Sequence, residues 1–231
     1  MTILALDASS VSCSACVSEN GKILAEAFIN TALTHSVTLL ANIKKVLEQS
    51  EKTIEDIDLI AVTAGPGSFT GVKIGVACAK GLAFERDIPC FAVSSLAAAA
   101  ENVSLFSGTV IAVMDARRKS FYNAVFKNGK CVCADRQSSV DELLASLPDD
   151  EPVVAVGDGA ELFVRLCSEH GRENIKAAPS FLRYIKASAV AELALRGDCE
   201  KRDCVSLAPV YLRAPQAERE RLERENAAKQ N

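Results

Sequence analysis

The feature that most restricts the fold of this chain is an internal duplication. The segment Ile111–Ala116 repeats the pattern of Ile3–Ala8, an apolar run that ends in an aspartate and an alanine. At the same offset and without a gap, Asn128-Gly129-Lys130 repeats Asn20-Gly21-Lys22. Such apolar runs predict buried strands, and Asn-Gly is the strongest short signal for a hairpin turn. The sequence therefore predicts two similar halves, each opening with a strand, an acid and a β-hairpin.

Each half continues with alternating helix and strand patterns. Apolar residues at helical spacing predict helices, and short apolar runs bounded by turn residues predict strands. The predicted elements are helix 35–49, strand 59–63, helix 70–84, strand 89–93 and helix 95–102 in the first half, and helix 140–147, strand 153–156, helix 161–170 and helix 188–197 in the second.

We divide the chain after residue 103. Residues 1–103 form the first predicted unit, and residues 104–231 form the second. The second unit ends in a charged tail, residues 217–231, in which glutamate and arginine recur at helical spacing. This pattern is typical of a solvated helix with frayed ends.

The most distinctive turn is the glycine block Ala64-Gly65-Pro66-Gly67-Ser68-Phe69-Thr70-Gly71. Its glycines permit close approaches that a Cβ atom would block, and Ser68 or Thr70 can cap the helix that follows. A helix N-terminus is a potential anion site, but the block lacks the spacing and the Lys-Ser/Thr ending of a P-loop. Two interpretations stay open: a tight strand-to-helix turn, or a phosphate-binding loop.

The helix after this block carries small residues at four-residue spacing, namely Gly71, Gly75 and Ala79. A stripe of small residues lets another element approach closely, as in pairs of membrane helices. Here the neighbour is either the chain's own sheet or the helix of a partner protein. Spacing alone does not separate the two, and we favour the partner.

Composition restricts the compartment and the partners of the protein. The 231 residues carry a net charge of −4 and only 5% aromatic side chains, which disfavours direct binding of nucleic acid by this chain. No apolar run approaches the ~20 residues of a membrane span, so no membrane association is expected. The nine cysteines are an odd set behind no signal peptide, which predicts a cytoplasmic protein with reduced thiols.

Two cysteine pairs have spacings that could serve a metal or redox site. Cys13 and Cys16 lie in a strand pattern, where residues three apart point to opposite faces. Cys131 and Cys133 could share a strand face, but two ligands do not make a zinc site. We expect these cysteines to fill apolar space, and we expect no metal site.

The doubled pattern resembles the fold shared by actin, Hsp70 and the sugar kinases, the ASKHA superfamily. The resemblance implies an α/β fold of two β-β-β-α-type halves with nucleotide between them. Asp7, Ser9 and Ser10 would be the nucleotide contacts. The superfamily often has a glycine before a serine or threonine in the first turn. Neither turn here, residues 7–10 or residues 115–118, contains that glycine, which argues against nucleotide binding by this chain alone.

A narrower resemblance covers nearly the whole chain. Its motifs, in order, are Ile3–Asp7 with Ser9-Ser10, His35-Ser36, the glycine block, Gly81-Leu82-Ala83, Val93-Ser94-Ser95-Leu96 and Pro209-x-Tyr211-Leu212-Arg213. Together they resemble the TsaB family, the bacterial accessory proteins of tRNA threonylcarbamoyladenosine synthesis. One departure is Lys73, where the family usually has arginine; the charge is kept but bidentate pairing is lost.

The resemblance implies a subunit without catalytic activity of its own. The catalytic paralogue, TsaD, has a metal-binding His-x-x-x-His motif, and the corresponding positions here are Ser95 and Ala99. Neither side chain binds a transition metal as imidazole does. The implied partners are TsaD, the ATPase TsaE, and tRNA through the complex. The chain would have no cofactor of its own, with ATP or ADP bound only in the complex.

The resemblance also implies an interface with TsaD on helices 35–49 and 70–84. His35, at the first helix start, is expected at the surface or in this interface rather than as a catalytic base. Alone, the chain would close the same apolar surface in a homodimer. The expected contact residues are Ser36, Val37, Leu40, Gly71, Lys73, Gly75 and Ala79.

The alternative to an accessory subunit is an enzyme. In this interpretation the chain is a small kinase or ATPase of the actin-like superfamily, and Asp7 and Asp115 hold Mg²⁺ through water. If the chain is not such an enzyme, Asp7 is a structural residue at the end of a strand. The sequence leaves open the resting oligomeric state, the place of nucleotide in a complex, and the role of the charged tail.

Overall fold

The computed structural model describes residues 1–31, 33–117 and 119–212, so the charged tail 217–231 lies outside the described residues. Among the helices in these ranges, none has the length and hydropathy needed to cross a bilayer. In chain order the elements are β1 (Thr2–Asp7), β2 (Cys13–Glu19), β3 (Lys22–Ile29), α1 (His35–Gln49), β4 (Leu59–Gly65), α2 (Phe69–Phe84), β5 (Cys90–Ser94), α3 (Ser95–Glu101), β6 (Thr109–Asp115), β7 (Ser120–Lys127), β8 (Lys130–Ser139), α4 (Val140–Ser146), β9 (Val153–Val156), α5 (Ala160–Glu169), β10 (Ile175–Ala177), α6 (Ser180–Arg183), α7 (Ala187–Arg196) and β11 (Glu200–Arg202).

The strands form two sheets that repeat one topology. The first sheet has the order β11-β5-β4-β1-β2-β3, and the second has the order β10-β9-β6-β7-β8. In each sheet the opening strand pairs antiparallel with its hairpin and parallel with the strand that follows the first helix. Parallel pairs need a crossover connection, which α1 and α4 supply. The predicted duplication is therefore confirmed by the strand order.

The sheets alternate with layers of helices. Between the two sheets lie α3 and α7, whose Leu96 and Val190 join a core with Ile3 of β1 and Ala112 of β6. The outer face of the first sheet is covered by α1 and α2, and that of the second by α4 and α5. Because both sheets are covered on both faces, their central strands are continuous apolar runs.

The boundaries of the long elements agree closely with the sequence predictions. Helix α1 covers the predicted residues 35–49, and α2 begins one residue earlier than predicted. Its N-cap is Ser68, whose hydroxyl accepts a hydrogen bond from the Gly71 amide at 3.2 Å. The elements β10, α6 and β11 have no counterpart in the sequence predictions, because three or four residues carry no recognisable period.

The end of the chain returns to the first sheet, although the predicted division after residue 103 assigned it to the second unit. Strand β11 pairs with β5 at the edge of the first sheet, and α7 packs against β1 and β2. The Ser188 amide at the start of α7 donates a hydrogen bond to Glu26 of β3 at 2.8 Å. Leu207 is buried in the core that α2 covers. The second unit is therefore the segment from β6 to α6.

The small residues of α2 pack on the chain's own sheet, which corrects our preference for a partner helix at this stripe. Gly71, Gly75 and Ala79 are buried, and a methyl group at Gly75 would lie 3.4 Å from Val62 of β4. At Gly71 a methyl group would collide with the carbonyl oxygen of Ala8. These three residues hold α2 against β1 and β4, and they present no surface to a partner.

We expect Gly71→Ala to destabilise the protein, because the new Cβ atom fits only if the Ala8 backbone or α2 moves. The free energy of unfolding should fall by about 2 kcal/mol or more. Gly81→Ala is the matched control on the same helix, since nothing lies within 4 Å of its added methyl group. The higher helix propensity of alanine should raise stability by about 0.5–1 kcal/mol in that variant. Urea denaturation measures both changes, and a neutral Gly71→Ala would contradict the packing described.

Candidate functional site

Asp7, at the end of β1, is the centre of a buried polar cluster. Its Oδ1 accepts hydrogen bonds from the Ser9 amide at 3.0 Å, the Ser9 hydroxyl at 2.6 Å and the Thr63 hydroxyl at 2.7 Å. Burial raises the pKa of Asp7, and these bonds together with the nearby His35 oppose the rise. Its Oδ2 is buried without a hydrogen-bond partner among the described residues. Asp7 thus joins β1, the turn after it, and β4.

The predicted nucleotide contacts Ser9 and Ser10 are buried, and their polar groups bond within the chain. The Ser9 carbonyl accepts a hydrogen bond from the Ser68 amide at 2.7 Å. The Ser10 hydroxyl lies 3.1 Å from the Ser12 hydroxyl, and the Ser10 carbonyl lies 2.7 Å from Nε2 of His35. His35 is therefore half-buried and closes this turn. Its expected place at the surface or in the interface stays a prediction.

Backbone oxygens of the chain itself fill the space around the glycine block. The Ser9 carbonyl lies where a side chain at Gly67 would project, and the Ala8 carbonyl lies where one at Gly71 would project. Two carbonyl oxygens thus face the first turn of α2, which Ser68 also caps. An anion there would have to displace these oxygens and overcome their negative dipoles. Of the two open interpretations, the structure favours the tight strand-to-helix turn.

Asp158 is a largely buried acid that the sequence analysis did not single out. Burial, with the negative charges of Asp115 and Asp7, raises its pKa to about 6, although the backbone amides of Asp115 and Val11 donate toward it. Its Oδ1 has no hydrogen-bond partner among the described residues. Val11 belongs to the first unit and Asp115 to the second, so Asp158 lies where the units meet. The sequence signal that could have identified Asp158 is the presence of an acid in a second glycine turn directly after a strand.

Three acids, Asp7, Asp115 and Asp158, therefore interact where the two units meet. The pKa of Asp158 responds to both Asp7 and Asp115, and a polyphosphate would meet the same repulsion unless cations accompanied it. Across the described ranges, no group of three or more histidine, cysteine, aspartate or glutamate side chains is arranged to hold a metal ion. The residues of the cleft between the two units do not fit the nucleotide that the superfamily implies.

Ser95 and Ala99, which the sequence analysis expects at the positions of the TsaD histidines, lie inside the protein. Ser95 and Ala99 are both on α3 and fully buried. The preceding Ser94 caps the helix, and its hydroxyl donates a hydrogen bond to Asp135 of β8 at 2.6 Å. Burial raises the pKa of Asp135, which this hydrogen bond opposes. A hydrogen bond between the two units thus lies beside these positions.

An apolar surface is exposed on α1 and on the loop before it. Leu33, Val37 and Leu40 are 60%, 66% and 58% exposed. Ser36 and Lys73 are exposed as well. We call these five residues the helix-pair surface. Single exposed apolar side chains are normal, but a group of them in one region makes this surface a candidate interaction site.

The two cysteines of each pair lie on opposite faces of their strand. Cys13 and Cys16 belong to different cores on opposite faces of β2, as predicted. A register shift in β8 places Cys131 and Cys133 opposite neighbouring residues of β7, whose side chains point to opposite faces. Cys131 is exposed, so the expectation that it fills apolar space is wrong.

Comparison with known proteins assigns the chain to a family. A family model described as "TsaD: tRNA N6-adenosine threonylcarbamoyltransferase" matches residues 22–221. The tRNA threonylcarbamoyladenosine biosynthesis protein TsaB of Bacillus subtilis is 32% identical over 231 residues, which cover 96% of this chain and 99% of the relative. The chain belongs to the TsaB family. The family expected from the motifs of the sequence is thus confirmed.

Solved structures support the fold of this TsaB-family chain. YeaZ from Pseudomonas aeruginosa superimposes with a TM-score of 0.73 at 24% identity, covering 91% of this chain and 99% of that one. The (R)-2-hydroxyglutaryl-CoA dehydratase component A of Acidaminococcus fermentans has a TM-score of 0.50 at 16% identity, covering 85% and 98%. These proteins share the fold of this chain, and the predicted α/β fold of two similar halves is confirmed.

We expect Asp158→Asn to stabilise the protein in a pH-dependent way. The pKa of Asp158 is about 6 when folded, against an ordinary value of 3.8, so the folded state binds the proton more tightly. Ionisation therefore opposes folding above pH 6, and this cost disappears as the pH falls below 4. At pH 8 the variant should gain up to about 3 kcal/mol in free energy of unfolding, and near pH 4 it should gain almost nothing.

Urea denaturation at several pH values measures this difference. Asp150→Asn, at an exposed position, is the control and should change the free energy of unfolding by less than about 0.5 kcal/mol at any pH. An Asp158→Asn variant that is less stable than the unchanged protein at pH 8 would show that the folded state favours the carboxylate.

Proposed function

We propose that this TsaB-family chain is a non-catalytic subunit that acts in tRNA threonylcarbamoyladenosine biosynthesis by binding and activating the catalytic subunit TsaD. Family membership supports the pathway, because the Bacillus subtilis relative is named for it and aligns along almost its whole length. In this proposal TsaD transfers the threonylcarbamoyl group to the adenosine next to the anticodon, and this chain keeps TsaD in a competent state.

The residues on α3 support a role without catalysis. Ser95 and Ala99 stand where the TsaD motif places imidazoles, and both are buried in the core between the sheets. A hydroxyl and a methyl group cannot bind and activate a transition metal as two histidines do. The hydrogen bond between Ser94 and Asp135 occupies the neighbouring space between the units.

The exposed helix-pair surface is the observation that carries the proposal. Val37 and Leu40 project from the outer side of α1 and Leu33 from the loop before it, while the small residues of α2 face inward. Fully burying an apolar side chain of this kind contributes about 1.5–3 kcal/mol, so these residues would supply part of the binding free energy of the complex. Within the expected interface, Ser36, Val37, Leu40 and Lys73 remain available to TsaD.

The remaining partners follow from the same proposal. TsaE is the ATPase of the complex, and tRNA reaches this chain only through the complex. The three acids where the units meet support this arrangement, because they disfavour nucleotide and RNA phosphates on this chain alone. ATP or ADP would bind only when TsaD completes the site. In the absence of TsaD, two copies of the chain would cover the helix-pair surface as a homodimer in the cytoplasm.

We expect Leu40→Glu to raise the dissociation constant for TsaD by about 100-fold or more, because a charge would be buried in the interface. The same variant should be monomeric in analytical ultracentrifugation. The matched control is Leu105→Glu, since Leu105 is 97% exposed and lies in the loop between α3 and β6. Calorimetric titration of TsaD measures both affinities, and equal affinities for the two variants would exclude this surface.

We expect no ATP hydrolysis by the purified chain alone. The acids Asp7, Asp115 and Asp158 repel phosphate, and the described residues offer no group of three metal ligands to hold the Mg²⁺ that would offset this repulsion. Phosphate release in the presence of Mg²⁺ measures this. Sustained turnover that is lost in Asp7→Asn would support the alternative, a small kinase or ATPase, against the accessory role.

A further inference from the structure

The C-terminal end of the described chain crosses the first turn of α2 and the glycine block. We call residues 204–212 the C-terminal strap. The Val210 amide donates a hydrogen bond to the Ala64 carbonyl at 2.6 Å, and the Val210 carbonyl occupies the space where a side chain at Gly65 would project. Lys80 of α2 donates hydrogen bonds to two strap carbonyls at 2.8 and 3.0 Å. The strap is thus fixed at two separate points, at the end of β4 and on α2.

The strap also forms an aromatic stack at the start of α2. The rings of Tyr211 and Phe69 lie 5.0 Å apart at 34°. The Lys73 ammonium lies 3.9 Å above the Phe69 ring. Tyr211 and Phe69 remain 41% and 38% exposed, so neither is a core residue. Within the part of the chain that the structure describes, the Lys73 ammonium has no carboxylate partner.

We propose that Tyr211 is a positioning residue of the partner interface. By stacking on Phe69, it fixes the ring over which Lys73 lies, and it thereby places this cation at the edge of the helix-pair surface. The feature of the partner that fits this arrangement is a carboxylate facing Lys73, beside an apolar area facing Val37 and Leu40. The inference rests on the proposed function and extends its interface to the end of the chain.

The physical basis is preorganisation. A lysine side chain is long and flexible, and ordering it on binding costs conformational entropy. A cation already held over an aromatic ring has lost part of this freedom before the partner arrives, so less is lost on binding. The Phe69 ring can serve this purpose only if it is itself held in place, and Tyr211 is the aromatic side chain that stacks on it.

The test is a double-mutant cycle in the full-length chain with TsaD as the probe. We expect Tyr211→Ala to weaken TsaD binding by about tenfold and Lys73→Met by a similar factor. If Tyr211 acts through Lys73, the double variant should bind about as well as either single variant. Tyr211→Phe keeps the stacked ring and should restore binding to within about threefold of the unchanged chain. A purely structural role would instead appear as a lower melting temperature and additive effects.

Two further variants distinguish failure of this inference from failure of the proposed function or loss of stability. Val205→Ala, on the strap but 74% exposed, is the control and should bind TsaD normally. Tyr211→Leu replaces Tyr211→Ala if the latter lowers the melting temperature, because leucine keeps apolar bulk but not the stack. Normal binding by the Tyr211 variants beside defective binding by Leu40→Glu overturns this inference alone. Normal binding by both overturns the proposed function as well, and additive effects in the cycle also overturn the inference.

Discussion

The hydrogen bonds to the Asp7 carboxylate hold together the segments on which the first unit depends. One oxygen accepts from the turn after β1 and from Thr63 of β4, so strand and turn are fixed to each other. Two carbonyl groups of that turn then fix the starts of two helices. The Ser9 carbonyl fixes the start of α2 through Ser68, and the Ser10 carbonyl fixes the start of α1 through His35. The exposed helix surface is therefore a consequence of a buried acid.

The same contacts show how a nucleotide-cleft fold can change its use. Positions that would approach phosphate are filled by backbone carbonyls, and the serines of the first turn bond within the chain. Asp158 adds a third acid where the units meet, at a cost in electrostatic energy that its burial makes larger. The cleft of this TsaB-family chain thereby becomes a junction between two units.

The sequence predicted what local periodicity and duplication encode, namely both hairpins, the long helices and the doubled fold. It did not predict features that depend on which neighbour an element meets. The stripe at Gly71, Gly75 and Ala79 has one spacing whether it faces a sheet or a partner, and only the three-dimensional packing decides. The charge environment of Asp158 arises from residues distant in sequence. Strand β11 is too short to leave a pattern, and its pairing with β5 depends on the long return of the chain.

The return of the chain has a consequence for biosynthesis. The first sheet receives its edge strand from Glu200–Arg202, and the core beneath α2 receives Leu207. The ribosome must therefore synthesise most of the polypeptide before the amino-terminal half has its edge strand and its complete core. The second unit, from β6 to α6, contains its whole sheet within one continuous stretch and emerges earlier than those parts. During translation, the amino-terminal half is thus expected to complete its folding last, although it is synthesised first.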